Sequence, residues 1–157
     1  MLADLPHGVP IGEVGTKEGH FAREIIAACD PQPLHLFDIA FETLEWFHPE
    51  VAELAELHEG RSFETVSAMP DGYFGWLYID ADHTYPYVRN DIAVGAPKVA
   101  PDGLLVFNDY CLVSYLERGK PYGVVRAVNE LVAEGEWFVR GFAFSVDGYH
   151  DIVLGRR

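Results

Sequence analysis

Apolar positions change their spacing several times along this chain, and each change marks an element. Val9 to Val14 is an apolar run with Pro10 near its start, where proline costs a strand least. Gly15-Thr16-Lys17-Glu18-Gly19 interrupts it. From His20 to Cys29 the spacing becomes helical, with Phe21, Ile25, Ile26 and Cys29 on one face. Asp30-Pro31-Gln32-Pro33 stops that helix, and Leu34 to Phe37 reads as a second strand ending on Asp38. Glu42 to His58 is expected to be helical, with a break near His48-Pro49, Leu54 and Leu57 on its apolar side, and Glu59-Gly60 as its stop. Arg61 to Met69 is expected to hold a short strand and a short helix, before a turn at Pro70-Asp71-Gly72.

The middle of the chain carries the strongest pattern. Leu77 to Ile79 is a short apolar run that ends on Asp80, Asp82 and His83. A helical pattern covers Tyr85 to Gly95, Pro101-Asp102-Gly103 reads as a turn, and Leu104 to Phe107 is a second apolar run ending on Asn108 and Asp109. Two buried strands joined by a helix make a parallel crossover, so both strands finish on the same sheet edge. In open α/β sheets that carboxyl edge is where ligands sit. Asp80, Asp82, His83, Asn108 and Asp109 are therefore expected to share one site. Asp82 is better placed to cap the helix beginning near Tyr85.

Cys111 to Lys120 is expected to be a loop with at most a helical turn, and Gly123 to Glu134 a helix with Val124, Val128, Leu131 and Val132 buried. Trp137 to Phe144 and Tyr149 to Leu154, around Asp147-Gly148, read as a closing antiparallel hairpin. The predicted fold class is α/β: a Rossmann-like, seven-stranded, mostly parallel sheet with helices on both faces and an antiparallel edge. Neither repeats nor a composition shift divides the chain, so residues 1–157 are expected to form one domain.

Charge narrows the partners. The formal net charge is −14 over 157 residues. Phosphate backbones are bound by basic surface, so the expectation is no nucleic acid partner; a cationic ligand or a divalent metal suits the charge better. Cys29 and Cys111 lack metal-ligand spacing and are expected to be free thiols in a reducing compartment. No apolar run approaches the roughly 20 residues that span a bilayer, and the N-terminus has neither a basic nor an apolar leader region, so a cytoplasmic protein with no membrane partner is expected.

The first strand–loop–helix reads GEVGTKEGHFA. Gly15 and Gly19 allow close backbone approach at a helix N-terminus, and Asp38, nineteen residues after Gly19, is placed to accept hydrogen bonds from ribose hydroxyls. Together they imply a cofactor that contains a nucleoside. The dinucleotide signature G-x-G-x-x-G and the phosphate loop G-x-x-x-x-G-K-[ST] are both absent. Glu13, ahead of the loop, suits an ammonium or sulfonium group better than a pyrophosphate.

Taken in order, Glu13, Gly15 and Gly19, then Asp38, then IDADHTY, then PDGLLVFNDY, resemble the class I S-adenosylmethionine-dependent methyltransferases. The resemblance runs from about Val9 to Leu154 and implies S-adenosylmethionine as cofactor. By it, Glu13 and Gly15 line the methionine end, Asp38 holds the ribose, Ser62 and Phe63 contact the adenine, and Thr16, Gly19 and Asp80 complete the cofactor-binding set. The relatives' acidic residue at the start of the fourth strand is replaced here by Gly75-Trp76, and their covering N-terminal helices do not precede the first strand. The acceptor side is thus expected to be open, closed by the Cys111–Tyr122 segment, or completed by a second subunit in a homo-oligomer.

Asp80, Asn108 and Asp109 are hard oxygen donors, the set that suits Mg²⁺. They also resemble the metal-binding aspartates and Asp-Asn pair of catechol and caffeoyl-coenzyme A O-methyltransferases, with the pair in reversed order and His83 at the usual lysine position. The expected reaction is O-methylation of a small-molecule acceptor, the metal lowering the pKa of a substrate hydroxyl and His83 or Asp80 taking its proton. Rival readings are a cofactor-binding module without transfer chemistry, a nicotinamide-dependent oxidoreductase and a metal-dependent hydrolase. Asp91 is expected to be solvated or paired, Tyr85 and Tyr87 to line a substrate mouth or to pack, and His48, His58 and His150 to be surface or core residues.

Overall fold

The computed structural model describes residues 1–157. Strands β1 (Ile11–Val14), β2 (Leu34–Asp38), β3 (Glu56–Glu59), β4 (Phe74–Ile79) and β5 (Val99–Phe107) run parallel. They are followed by β6 (Trp137–Ala143) and β7 (Asp151–Arg156). The sheet order is β3-β2-β1-β4-β5-β7-β6. The expected antiparallel edge is present, but the antiparallel strand is not itself the outermost one: β7 runs against both β5 and β6 and lies between them.

Strands buried on both faces must be apolar at every position. Alternation then sends successive side chains to opposite cores. Trp76, Tyr78, Leu104 and Val106 pack with α1 (His20–Cys29), α2 (Glu42–Phe47) and α3 (Pro49–Leu54) through Ile25, Leu44 and Val51. Leu77, Ile79, Leu105 and Phe107 pack with α5 (Tyr85–Gly95) and α6 (Val124–Ala133) through Val88, Ile92, Val128 and Leu131. Burying a side chain of that size stabilises by about 1.5–3 kcal/mol, so these runs rather than helix propensity hold the layers together.

Three sequence expectations are corrected. The helix predicted to reach His58 stops at Leu54, and Glu56–Glu59 is the third strand, so Arg61–Met69 holds only a short helix, α4 (Ser62–Thr65). Four residues are too few to separate a strand period from a helix period; pairing with β2 and the stacking of His58 on Phe37, 4.5 Å between centroids, decide it. Leu54, expected on an apolar face, is exposed. Pro101-Asp102-Gly103 is not a turn between elements but an irregular stretch within β5, where the pairing with β4 shifts register. A Cβ on Gly103 would strike the Phe74 and Gly75 carbonyls, so glycine lets the strand pass there. Finally, Cys111–Lys120 contains no helical turn but a small hairpin, Val113–Ser114 against Lys120–Pro121. Helices α1, α5 and α6 lie within a residue of their predicted spans.

Candidate active site

The strand order reverses between β1 and β4, and a crevice opens at the carboxyl ends there. Register sets what faces it. Val14 pairs with Ile79 and Ile79 with Phe107, so the residues that follow these strands, Gly15, Asp80 and Asn108, stand side by side. A cleft of about 830 Å³ lies above them. Glu13, Gly15, Thr16, Gly19, Asp38, Ser62, Phe63, Asp80, His83, Asn108 and Asp109 all line it. Tyr87 lines it too, whereas the Tyr85 hydroxyl points away and donates to Glu130 at 2.7 Å.

The first loop is held by Asp38. Its Oδ2 accepts the backbone N–H of Thr16 and of Lys17, each at 2.8 Å, and its Oδ1 accepts that of Ile39 at 2.6 Å. A carboxylate has about four acceptor sites, so one remains for a ligand hydroxyl. The glycines serve the protein as well as the cleft. Gly15 has φ +89°, and a Cβ there would overlap the Asp80 carbonyl, so the loop lies directly on the end of β4. Gly19 has φ +78°, and a Cβ there would overlap Leu44. No side chain caps α1, whose first turn borders the cleft at Gly19, His20 and Phe21. Glu13 is buried at the cleft floor; burial, with Asp80 nearby, raises its pKa well above the usual carboxyl range.

Ser62 donates to Asp91, a buried carboxyl that burial raises to about 6. Asp91 is thus paired, and it fixes the first turn of α4 beneath the cleft. Phe63, next to Ser62, is left exposed at the cleft rim.

On the opposite wall His83 Nε2 lies 3.3 Å from Asp80 Oδ1 and 3.4 Å from Asp109 Oδ2. That nitrogen is buried, and neither contact has hydrogen-bond geometry. The His83 ring stacks on Tyr122 with centroids 4.6 Å apart. Its carbonyl accepts the Gly123 N–H at 2.6 Å, which ties the end of the Cys111–Tyr122 segment to the site. Burial opposes a charged His83, but Asp80 and Asp109 outweigh it and raise the imidazole pKa. Burial also raises Asp80, partly offset by His83 and Lys17, and pushes Asp109 up to about 6. Asp109 itself has φ +54°, a left-handed backbone that aspartate tolerates better than most residues.

Asn108 borders the cleft, but its amide nitrogen is engaged away from the two carboxylates. Its Nδ2 donates to the Tyr78 hydroxyl at 2.9 Å and to Asp151 Oδ1 at 3.1 Å. Asp151, at the start of β7, is also raised to about 6, mainly by burial. The expected Asp80, Asn108 and Asp109 set therefore does not converge as three oxygens: an imidazole stands between the two carboxylates and the amide is turned into a buried network. These residues do not fit a metal ion as arranged. Sequence reasoning missed Asp151 and Tyr122. Nothing local marks Asp151, which reaches the site only through the pairing of β7 with β5, but Tyr122 ends a segment already expected to border the site.

Comparison with known proteins agrees with this architecture. A family model described as a methyltransferase domain matches residues 13–110. No curated protein sequence matches the chain. Among solved structures, the pyocyanin biosynthetic protein PhzM superposes with a TM-score of 0.72 at 14% identity, covering 96% of this chain and 51% of its own, so the chain spans about half of that protein. An S-adenosylmethionine-dependent methyltransferase from Mesorhizobium loti gives 0.71 at 11% identity, covering 96% and 92%. The N-methyltransferase NodS from Bradyrhizobium japonicum, solved with S-adenosyl-L-homocysteine, gives 0.71 at 16% identity, covering 95% and 79%. Other similar structures are the B. subtilis tRNA methyltransferase TrmK and a ribosomal protein L11 methylase from Lactobacillus delbrueckii. At these identities the likeness shows the fold alone. The family model, however, spans well over half of the 157 residues, including the first loop and both central strand ends, and the chain belongs to the class I S-adenosylmethionine-dependent methyltransferases.

Proposed function

We propose that the protein transfers a methyl group from S-adenosylmethionine to a hydroxyl of a small-molecule acceptor, with His83 as the base. The observation that carries this reading is the His83 Nε2, buried at the cleft wall between two carboxylates without a directed hydrogen bond. Asp80 and Asp109 favour a proton on this nitrogen, so it can take one up during transfer once it has been deprotonated.

The cleft fits the cofactor on three counts. The uncapped N-terminus of α1 suits an amino-acid carboxylate. Asp38 keeps an acceptor site for ribose, and the Glu13 and Asp80 carboxyls, whose ionisation burial opposes, lie where a cationic sulfur would favour their charged forms. Ser62 and Phe63 line the same cleft and are the residues we assign to the adenine. When bound, the cofactor supplies an electrophilic methyl on a sulfonium that leaves as a neutral thioether.

His83 takes the acceptor hydroxyl proton on Nε2, and Asp80 and Asp109 stabilise the imidazolium that forms. Tyr122 holds the ring in plane by stacking. A small acceptor is favoured over a nucleic acid because the net charge is −14 and Glu13, Glu18, Asp82 and Glu117 all border the cleft. As the raised pKa of His83 must be passed before it is a base, the transfer rate should climb with pH through neutrality and level off above it.

Calorimetric titration with S-adenosylmethionine tests the cofactor, and an acceptor screen with the wild type and His83→Ala tests the base. Saturable binding with transfer lost in the variant is the expected result. Absence of binding at millimolar cofactor removes the reading. A chelator should leave turnover intact, because Asp80, Asn108 and Asp109 as arranged do not fit a metal ion.

A further inference from the structure

We propose that His35, Glu56 and His58 form a zinc-binding site on β2 and β3, separate from the cleft. The register of the two strands pairs His35 with Glu56 and Phe37 with His58. Period-two alternation then puts these four side chains on one face of the sheet. His35 Nδ1 lies 2.8 Å from His58 Nε2 and 3.5 Å from Glu56 Oε2. The ligand atoms of all three residues fall within 4.8 Å of one another, and no other group of histidine, cysteine and carboxylate residues in the chain does so.

Three features separate this cluster from a merely satisfied core histidine. His35 is 3% exposed, yet three polar groups reach it in an otherwise aromatic setting of Phe37 and Phe74. Its far nitrogen, Nε2, already meets the Tyr73 hydroxyl at 3.0 Å. Metal-binding histidines are characteristically oriented in this way by a hydrogen bond on the nitrogen that does not ligate. And the cluster opens outward: Glu56 is exposed and His58 half-buried on the sheet's edge strand, which leaves an entry path for an ion and a position for water. Two imidazoles and one carboxylate are a ligand set that Zn²⁺ accepts. Tetrahedral zinc would require the two nitrogens to separate to about 3.3 Å, a small movement for an edge strand.

The site would staple β3 to β2. β3 is short and poorly covered, and Gly60, Arg61, Ser62 and Phe63, which follow it directly, line the cleft. Zinc would thereby steady the adenine side without touching the reaction.

The test is a titration of the full chain, first stripped with chelator, with Zn²⁺ by calorimetry and with Co²⁺ by visible absorption. One ion per chain is expected, with the absorption of a low-symmetry cobalt site bound by nitrogen and oxygen. Glu56→Gln changes an exposed carboxylate and should leave the fold intact by circular dichroism while weakening binding at least ~10-fold; His58→Ala should abolish it. Asp109→Asn in the cleft should leave it unchanged. No uptake, uptake unaffected by Glu56→Gln and His58→Ala, or uptake lost in Asp109→Asn would each overturn the proposal.

Discussion

Asp38 and Asp109 are both carboxylates at strand ends on the rim of one cleft, yet they are treated differently. Asp38 faces backbone donors: three N–H groups converge on it, and it closes the first loop. Asp109 faces other acids. Asp80 adds to the cost of its burial, and the single cation that eases both is His83. One side of the cleft is thus built to hold a shape, and the other to hold a proton. The lesson is that a carboxylate's role follows from what meets it, which strand-end position does not reveal.

Breaking the His83 side should give the largest effect. Replacing His83 by alanine is expected to slow transfer by about 10²–10⁴-fold, the usual worth of a positioned base, while leaving S-adenosylmethionine affinity within a few fold. Calorimetry and single-turnover assays on the same preparation would check both parts. A loss of affinity equal to the loss of rate would place His83 on the cofactor side instead.

Gly15→Ala attacks the other side. The left-handed backbone costs a non-glycine residue about 1–2 kcal/mol, and overlap with the Asp80 carbonyl adds to that. Cofactor affinity should fall at least ~10-fold and the thermal midpoint should drop, as read by calorimetry and thermal melts.

Stability against pH sharpens the contrast. Asp109 and Asp151 have folded pKa values raised to about 6, above the unfolded value, so the native state binds protons more tightly. Their contribution is complete below the unfolded carboxylate pKa and is lost as pH rises through about 6. His83, also raised, shifts in the same direction and extends the decline above its ordinary pKa. Denaturant unfolding should show stability falling between about pH 4 and pH 6, by up to ~2 kcal/mol for each carboxyl, and Asp109→Asn should flatten that slope.

The smallest expected change is Asp38→Asn. The amide keeps one acceptor for the loop N–H groups but loses the charge that strengthens those bonds, so about 1 kcal/mol and a several-fold loss of cofactor affinity are expected. Titration of the variant would measure it.

Much of this was legible before the structure. The spans of α1, α5 and α6, the apolar runs of β4 and β5, and the crossover that sets Asp80 beside Asn108 follow from spacing alone. Two kinds of feature were not. β3 has only four residues and no apolar majority, so its pairing with β2 rather than its own pattern defines it. The direction of the Asn108 amide depends on Tyr78 and on Asp151, the latter 43 residues away. The expected oxygen set for a metal failed to form for the same reason: adjacency in sequence placed Asn108 and Asp109 together, and packing turned them apart.

By itself, then, the chain determined a doubly covered parallel sheet, the loop that follows its first strand, and which residues reach the carboxyl edge. Those properties arise from local periodicity, because alternation and helical spacing act over a few residues and leave their mark wherever they operate. Only the tertiary structure decided that Asp38 closes the loop, that His83 stands between Asp80 and Asp109 with Tyr122 behind it, and that His35 meets His58 and Glu56. Each of these depends on side chains from separate elements meeting at hydrogen-bond or stacking distance, and such distances are set by how the sheet and its two helical layers pack, which no single stretch of sequence contains.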